Sequence, residues 1–131
     1  MVKAVDIQAE LAKHPMLRGR RPDTPGDQTA AAFTTLAAFR EGGIFAGSFE
    51  GDSAWERHSQ GDELVQILSG ATTLTVLTDD GPQVLEMKAG MLAVVPQNCW
   101  HRFSAPEGVT LLTATPQPTD HSTAEDPELE A

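Results

Sequence analysis

From Ala31 onward the chain repeats one pattern, a short apolar or β-branched run closed by a turn signal. Phe33–Phe39 leads to Glu41-Gly42-Gly43, and Ile44–Phe49 to Gly51-Asp52. Trp55–Gln60 leads to Gly61-Asp62, and Glu63–Leu68 to Ser69-Gly70. Thr72–Thr78 is closed by Asp79-Asp80-Gly81-Pro82, and Gln83–Met87 by Lys88-Ala89-Gly90. Met91–Val95, Trp100–Ser104 and Val109–Thr115 complete the series. Short strands at roughly 8–12-residue spacing, with no helix-length segment between them, predict a sandwich or a barrel. The run Thr72–Thr78 is built almost wholly of β-formers.

The 131 residues fit one domain, and 40% hydrophobic with 21% charged residues is ordinary globular composition. The 19 acidic against 9 basic residues give a formal net charge of -10. Such a chain repels phosphate backbones and anionic lipid, so nucleic acid and membrane surfaces are not expected partners. Apolar runs such as Met91–Val95 are far short of the ~20 residues of a membrane span. No secretory leader is expected, since Asp6 falls where an apolar stretch should begin. The single Cys99 has no internal disulfide partner, which fits a reducing compartment, and the expected location is cytoplasmic.

Three regions follow. Residues 1–32 read as an N-terminal arm, in which Asp6 caps a short helix over Ile7–Lys13 that His14-Pro15 ends. Arg18-Gly19-Arg20-Arg21-Pro22 could suggest an anion or phosphate site, but the favoured reading is a solvated loop or a dimer-contact arm. Residues 33–115 carry the barrel. Residues 116–131 have five acids, no base and three prolines, and read as a flexible acidic tail. His14 and His121 lie in these ends and receive no role.

His58, Glu63 and His101 are the candidates for chemistry. Gly61-Asp62 suits a two-residue hairpin, which sets Gln60 opposite Glu63 and His58 opposite Val65. His58, Gln60 and Glu63 then share one face. Pro96 and Asn98 predict a turn that puts His101 near the start of the next strand, with Cys99 and Phe103 on its face. Cys99 reads as a buried small residue rather than a nucleophile. Trp55 and Trp100 read as rim residues packing between subunits.

These residues resemble the cupin family. Gly51, His58, Glu63 and Gly70 match its first motif, and Gly90, Pro96, Asn98 and His101 its second. The resemblance covers about residues 33–115. It departs where the second histidine of the pair is absent, with Gln60 two residues after His58, and where the His58–Glu63 gap is one residue short. The motif's terminal asparagine is also missing, with Ala105 nearby.

The resemblance implies an all-β jelly-roll barrel (a double-stranded β-helix) with a pocket for a small organic molecule. It implies a divalent metal (Fe, Mn, Ni or Zn) on His58, Glu63 and His101, with Gln60 as a weak fourth ligand. Val65, Ile67, Cys99 and Phe103 are the expected pocket lining, with Leu74 and Val76 as further apolar walls. A homodimer is expected, since cupins commonly pair through an outer sheet. Two functions stay open here, a metal-dependent enzyme of unassigned reaction and a metal-free binding or sensing module. A purely structural or protein-interaction role is the third.

Overall fold

The computed structural model describes residues 2–129. In chain order it contains helix α1 (Ile7–Leu11), strand β1 (Leu17–Arg20), helix α2 (Gly26–Ala32) and strand β2 (Phe33–Phe39). Then follow β3 (Gly42–Asp52), β4 (Trp55–His58), β5 (Glu63–Thr78) and β6 (Gly81–Lys88). β7 (Leu92–Val95), β8 (His101–Pro116), β9 (Thr119–Ser122) and a 3-10 turn at Pro127–Leu129 complete the chain. The strands form one curled jelly-roll sheet of the expected all-β type.

Two pairs of expected strands prove to be continuous. Glu63–Leu68 and Thr72–Thr78 belong to β5, and Trp100–Ser104 and Val109–Thr115 fall within or beside β8. Ser69-Gly70 is therefore a bend inside a strand rather than a hairpin turn. The β5–β8 register shifts between Ile67 and Ser69 and again between Gly70 and Thr73. Gly70 adopts φ +75°, and a Cβ there would collide with the carbonyl oxygen of Gly108. Glycine supplies both the left-handed conformation and the close backbone approach that the corner needs.

β8 is the spine. It pairs antiparallel with β3, with β5 and, at Glu56↔His101, with β4. Along β5 the buried positions alternate, so Val65, Ile67, Leu74 and Val76 point into one core with Leu111 of β8. Each such side chain contributes roughly 1.5–3 kcal/mol by leaving water. On the outer face Val84 of β6 and Leu92 and Val94 of β7 stay 60%, 61% and 55% exposed.

Both ends of the chain join the sheet. α1 starts where Asp6 accepts from the Ala9 amide at 3.0 Å, but it stops at Leu11, short of the expected Lys13. Arg18–Arg20 of the stretch expected as loop or dimer arm join Leu17 in β1, which lies parallel on β3 of the same chain. Residues 119–122 of the expected tail form β9 and pair with β4. The acidic side chains of this stretch do not oppose pairing because strand bonding uses the backbone. Trp55 and Trp100 are buried within the chain, beneath the guanidinium groups of Arg102 at 4.5 Å and Arg57 at 4.4 Å. They are not rim residues.

Replacing Gly70 by alanine should lower stability by at least about 2 kcal/mol, because left-handed strain adds to a backbone collision. Gly90→Ala, also at positive φ but with open space around it, should cost only about 1–2 kcal/mol. Urea midpoints of the two variants check the ordering.

Candidate metal centre

Three backbone segments deliver the three candidate groups. β4 ends on His58, β5 begins on Glu63, and β8 begins on His101. The turn at Pro96–Cys99 clasps the loop between β4 and β5. The Asn98 amide donates to the His58 carbonyl at 2.9 Å. The Gln97 amide donates to Asp62 Oδ1 at 2.8 Å, and its side-chain amide donates to the Ser59 carbonyl at 2.6 Å. Asn98 adopts φ +66°, the left-handed conformation that asparagine tolerates best after glycine. Asn98 thus supplies the sharp turn that the chain needs before His101.

The hairpin expected at Gly61-Asp62 does not form. β4 bonds to β9 and β8, with His58 opposite Thr119, while Glu63 of β5 lies opposite Val95 of β7. Val65 faces Ala93 and Thr113, not His58. The loop nonetheless brings His58 and Glu63 together. His58 Nε2 lies 3.3 Å from Glu63 Oε2, and His101 Nε2 lies 3.0 Å from Glu63 Oε1. Candidate ligand atoms of the three residues all fall within 4.8 Å of one another.

Burial makes this cluster chemically unusual. His58, Glu63 and His101 are 3%, 5% and 1% exposed. A carboxylate so placed needs partners worth several kcal/mol. Despite the short separations, His58 Nε2, His101 Nε2 and Glu63 Oε1 make no well-directed hydrogen bond. The outward atoms are satisfied. His101 Nδ1 meets the Cys99 carbonyl at 3.0 Å, which requires a proton on Nδ1. Thr119 donates its hydroxyl proton to Gln117 Oε1 at 3.2 Å, so at 3.1 Å it accepts from His58 Nδ1. With Nδ1 protonated on both rings, neutral imidazoles turn both Nε2 lone pairs inward. Thr115 donates to Glu63 Oε2 at 2.6 Å and sits 2.7 Å from Thr113 Oγ1. Supporting hydrogen bonds of this kind orient the ligands in metal sites.

Two ligand bonds of about 2.1 Å at right angles set donor atoms about 3 Å apart, close to the separations seen here. Two imidazoles and a carboxylate, with further positions open, suit Fe(II) and similar divalent ions. The residues fit a metal.

Without an ion, protons bind the same atoms. Burial works to raise the Glu63 pKa, but the close His101 and His58 rings outweigh it and bring the carboxyl down to about 2. Burial works to lower the His101 pKa, yet its contact with Glu63 raises it above the ordinary imidazole value.

Gln60 is not brought in. It is exposed, and its amide reaches only Ser59 Oγ at 3.4 Å. With no β4–β5 pairing, nothing holds it on the inward face. A cavity of about 680 Å³ adjoins the cluster and is lined by Glu63, Phe103, Phe49, Leu111 and Thr113, among others. Of the expected lining, Phe103 is on its wall. Val65, Ile67, Leu74 and Val76 lie deeper in the core, and Cys99 packs against that core from its turn. Burial pushes the Cys99 thiol pKa up, aided by Asp79, Glu128 and Asp62, so it stays a thiol. His121, given no role from sequence, lines the cavity, with Nε2 3.7 Å from Glu56. His14 bonds the Ala31 carbonyl at 2.9 Å. Thr115 and Thr119 were missed because hydroxyls in strands carry no spacing signal. Only the period-2 series Leu111, Thr113, Thr115 marks Thr115 as inward.

The Cupin domain family profile matches residues 48–114, just over half of the chain. The chain belongs to the cupin family. No curated protein matches it. Among solved structures, the hydroquinone 1,2-dioxygenase PnpCD, in complex with Cd2+ and 4-hydroxybenzonitrile, is 17% identical at TM-score 0.56. That match covers 64% of this chain and 63% of that one. An oxalate decarboxylase is 17% identical at TM-score 0.54, over 60% of this chain and 23% of that one. Protein NMB1881 from Neisseria meningitidis is 18% identical at TM-score 0.59, over 92% of this chain and all of that one. The chain thus spans less than two thirds of the two enzymes, and the likeness is one of fold.

In the presence of a chelator, the triad should stabilise the fold most between about pH 4.5 and 6.5. The lowered Glu63 pKa adds stability that is complete above 4.5 and lost as pH falls toward 2. The raised His101 pKa adds stability that is complete below 6.5 and lost as pH rises through the raised value. The difference in urea midpoint between wild type and Glu63→Gln should therefore peak in that window and shrink on either side.

Proposed function

We propose that this cupin binds a divalent metal through His58, Glu63 and His101 and acts on a small organic molecule held in the adjoining cavity. The observation that carries the reading is the set of inward ligand atoms, His58 Nε2, His101 Nε2 and Glu63 Oε1. They are buried and close, and no well-directed hydrogen bond satisfies them. An ion bound there would supply Lewis-acid or redox chemistry. The chain's own residues do the rest. The Cys99 carbonyl and Thr119 hold the imidazole tautomers, Thr115 holds the carboxylate, and Phe49, Phe103 and Leu111 exclude water from the cavity wall. Glu63 reaches that wall and joins the two regions. The solved relatives support the reading through what they hold, Cd2+ with 4-hydroxybenzonitrile in the dioxygenase.

Mass spectrometry of the purified protein should find near-stoichiometric divalent metal, lost in His58→Ala and His101→Ala. Affinity should fall as pH drops, since protons compete for the same nitrogen atoms. No metal after reconstitution with iron, manganese, nickel and zinc would leave a metal-free organic-ligand pocket instead.

The reading includes a homodimer, supported by the exposed apolar side chains Val84, Leu92 and Val94 on the outer face. Light scattering should give about twice 14.0 kDa, and Leu92→Glu with Val94→Glu should return the monomer. A wild-type monomer would remove the dimer and leave the site untouched.

A further inference from the structure

Three arginines stand close together near the cavity, and they are not equivalent. Arg18 pairs with Glu50 at 3.6 Å, and Arg21 with Asp23 at 3.2 Å. Both are largely in solvent. Arg21 also lines the cavity, but its charge is met by Asp23, whereas Arg20 is half-buried on the cavity wall. Its guanidinium carbon lies 4.5 Å from the centre of the Phe49 ring and 5.9 Å from that of Phe33. Among the described residues its guanidinium makes no hydrogen bond or ion pair. The countercharge that acts on it is Glu56, which makes no ion pair with it and has His121 3.7 Å away.

A guanidinium in this state has an unmet requirement. It cannot shed its proton at ordinary pH, and it is partly removed from water. The two ring faces attract its charge but offer no acceptor for its N–H groups. Its position is also built rather than incidental. β1 runs parallel on β3 with Arg20 opposite Gly51. Gly51 adopts φ +116°, and a Cβ there would collide with the Arg20 backbone. The glycine of the first motif therefore lets the N-terminal strand approach closely enough to set Arg20 over Phe49.

We infer that Arg20 is the anchor for a carboxylate on the ligand, whose apolar body lies against Phe33, Phe45 and Phe103 in the cavity shared with Glu63. The fork of the guanidinium matches a carboxylate in two parallel N–H···O bonds. A ligand neutral at that end would leave those donors unmet. The cavity, about 680 Å³, is of ordinary size for a small organic ligand. Two acids face it. Glu63 is engaged by the two imidazoles and Thr115, and Glu56 repels an anion from the wall it shares with His121. Arg20 is thus where an anionic end can settle. The inference takes the cavity as the ligand site, as the proposed function does, but it does not depend on the metal.

Benzoate and its neutral isostere benzamide test it, by calorimetric titration of the full chain with and without a chelator. Wild type should bind benzoate at least tenfold tighter than benzamide. Arg20→Gln should lose that preference, and Arg20→Lys should recover part of it through charge without the fork. Circular dichroism and metal content of both variants should match wild type, which separates loss of the anchor from loss of the fold or the metal centre. Arg20-dependent benzoate binding in a protein that takes up no metal would uphold the anchor while the metal reading falls. Benzoate binding that vanishes with chelation yet ignores Arg20→Gln would place the carboxylate on the metal and overturn the inference. A wild type that binds neither benzoate nor phenylacetate would overturn it too.

Discussion

A carboxylate inside a β-barrel dictates much of this structure. Glu63 begins one of the two longest strands, and its charge lasts there only because partners arrive from separate parts of the chain. His58 comes from the end of β4, His101 from the start of β8 and Thr115 from near its end. No local segment could satisfy it. Even so, the inward nitrogens and one carboxylate oxygen are left without well-directed hydrogen bonds. A site built for stability alone gains nothing from that shortfall, because unmet buried polar atoms each cost about 1–3 kcal/mol. The arrangement makes sense as a receptor for a cation.

The scaffold serves this convergence through a few backbone positions. Gly70 lets β5 bend across Gly108, so one strand can serve both the site end and the far end of the sheet. Asn98 turns the chain so that its amide grips His58 from behind. Gly51 admits β1 onto β3. Each is a place where the backbone must come closer, or turn harder, than most side chains allow.

The strands and the triad were legible because their signals are local. Alternation along Glu63, Val65 and Ile67 marks an inward face, and the spacing from Gly90 to His101 marks a turn before a histidine. What was hidden depends on pairing between distant segments. The Gly61-Asp62 hairpin looked sound from its own residues, but β9 and β7 compete for the same strand edges and win them. That is why Gln60 faces outward. Gly70 read as a turn because a glycine bend within one strand and a glycine turn between two look alike in sequence. The stretch holding Arg20 read as a loop, and Thr119 drew no notice, because their segments are polar and short. Their order comes from backbone bonds to β3 and β4, which composition does not register.

The two ends of the chain close over the middle. β1 arrives with Arg20 and β9 with Thr119 and His121, while the motifs that hold the triad lie wholly between them. Inner barrel and outer ends therefore answer to different demands. The barrel must keep a fixed set of donor atoms in register, and little there can change without loss. The ends touch the cavity through strands of only four residues each. Variation in those ends can change the cavity wall while the interior stays as it is.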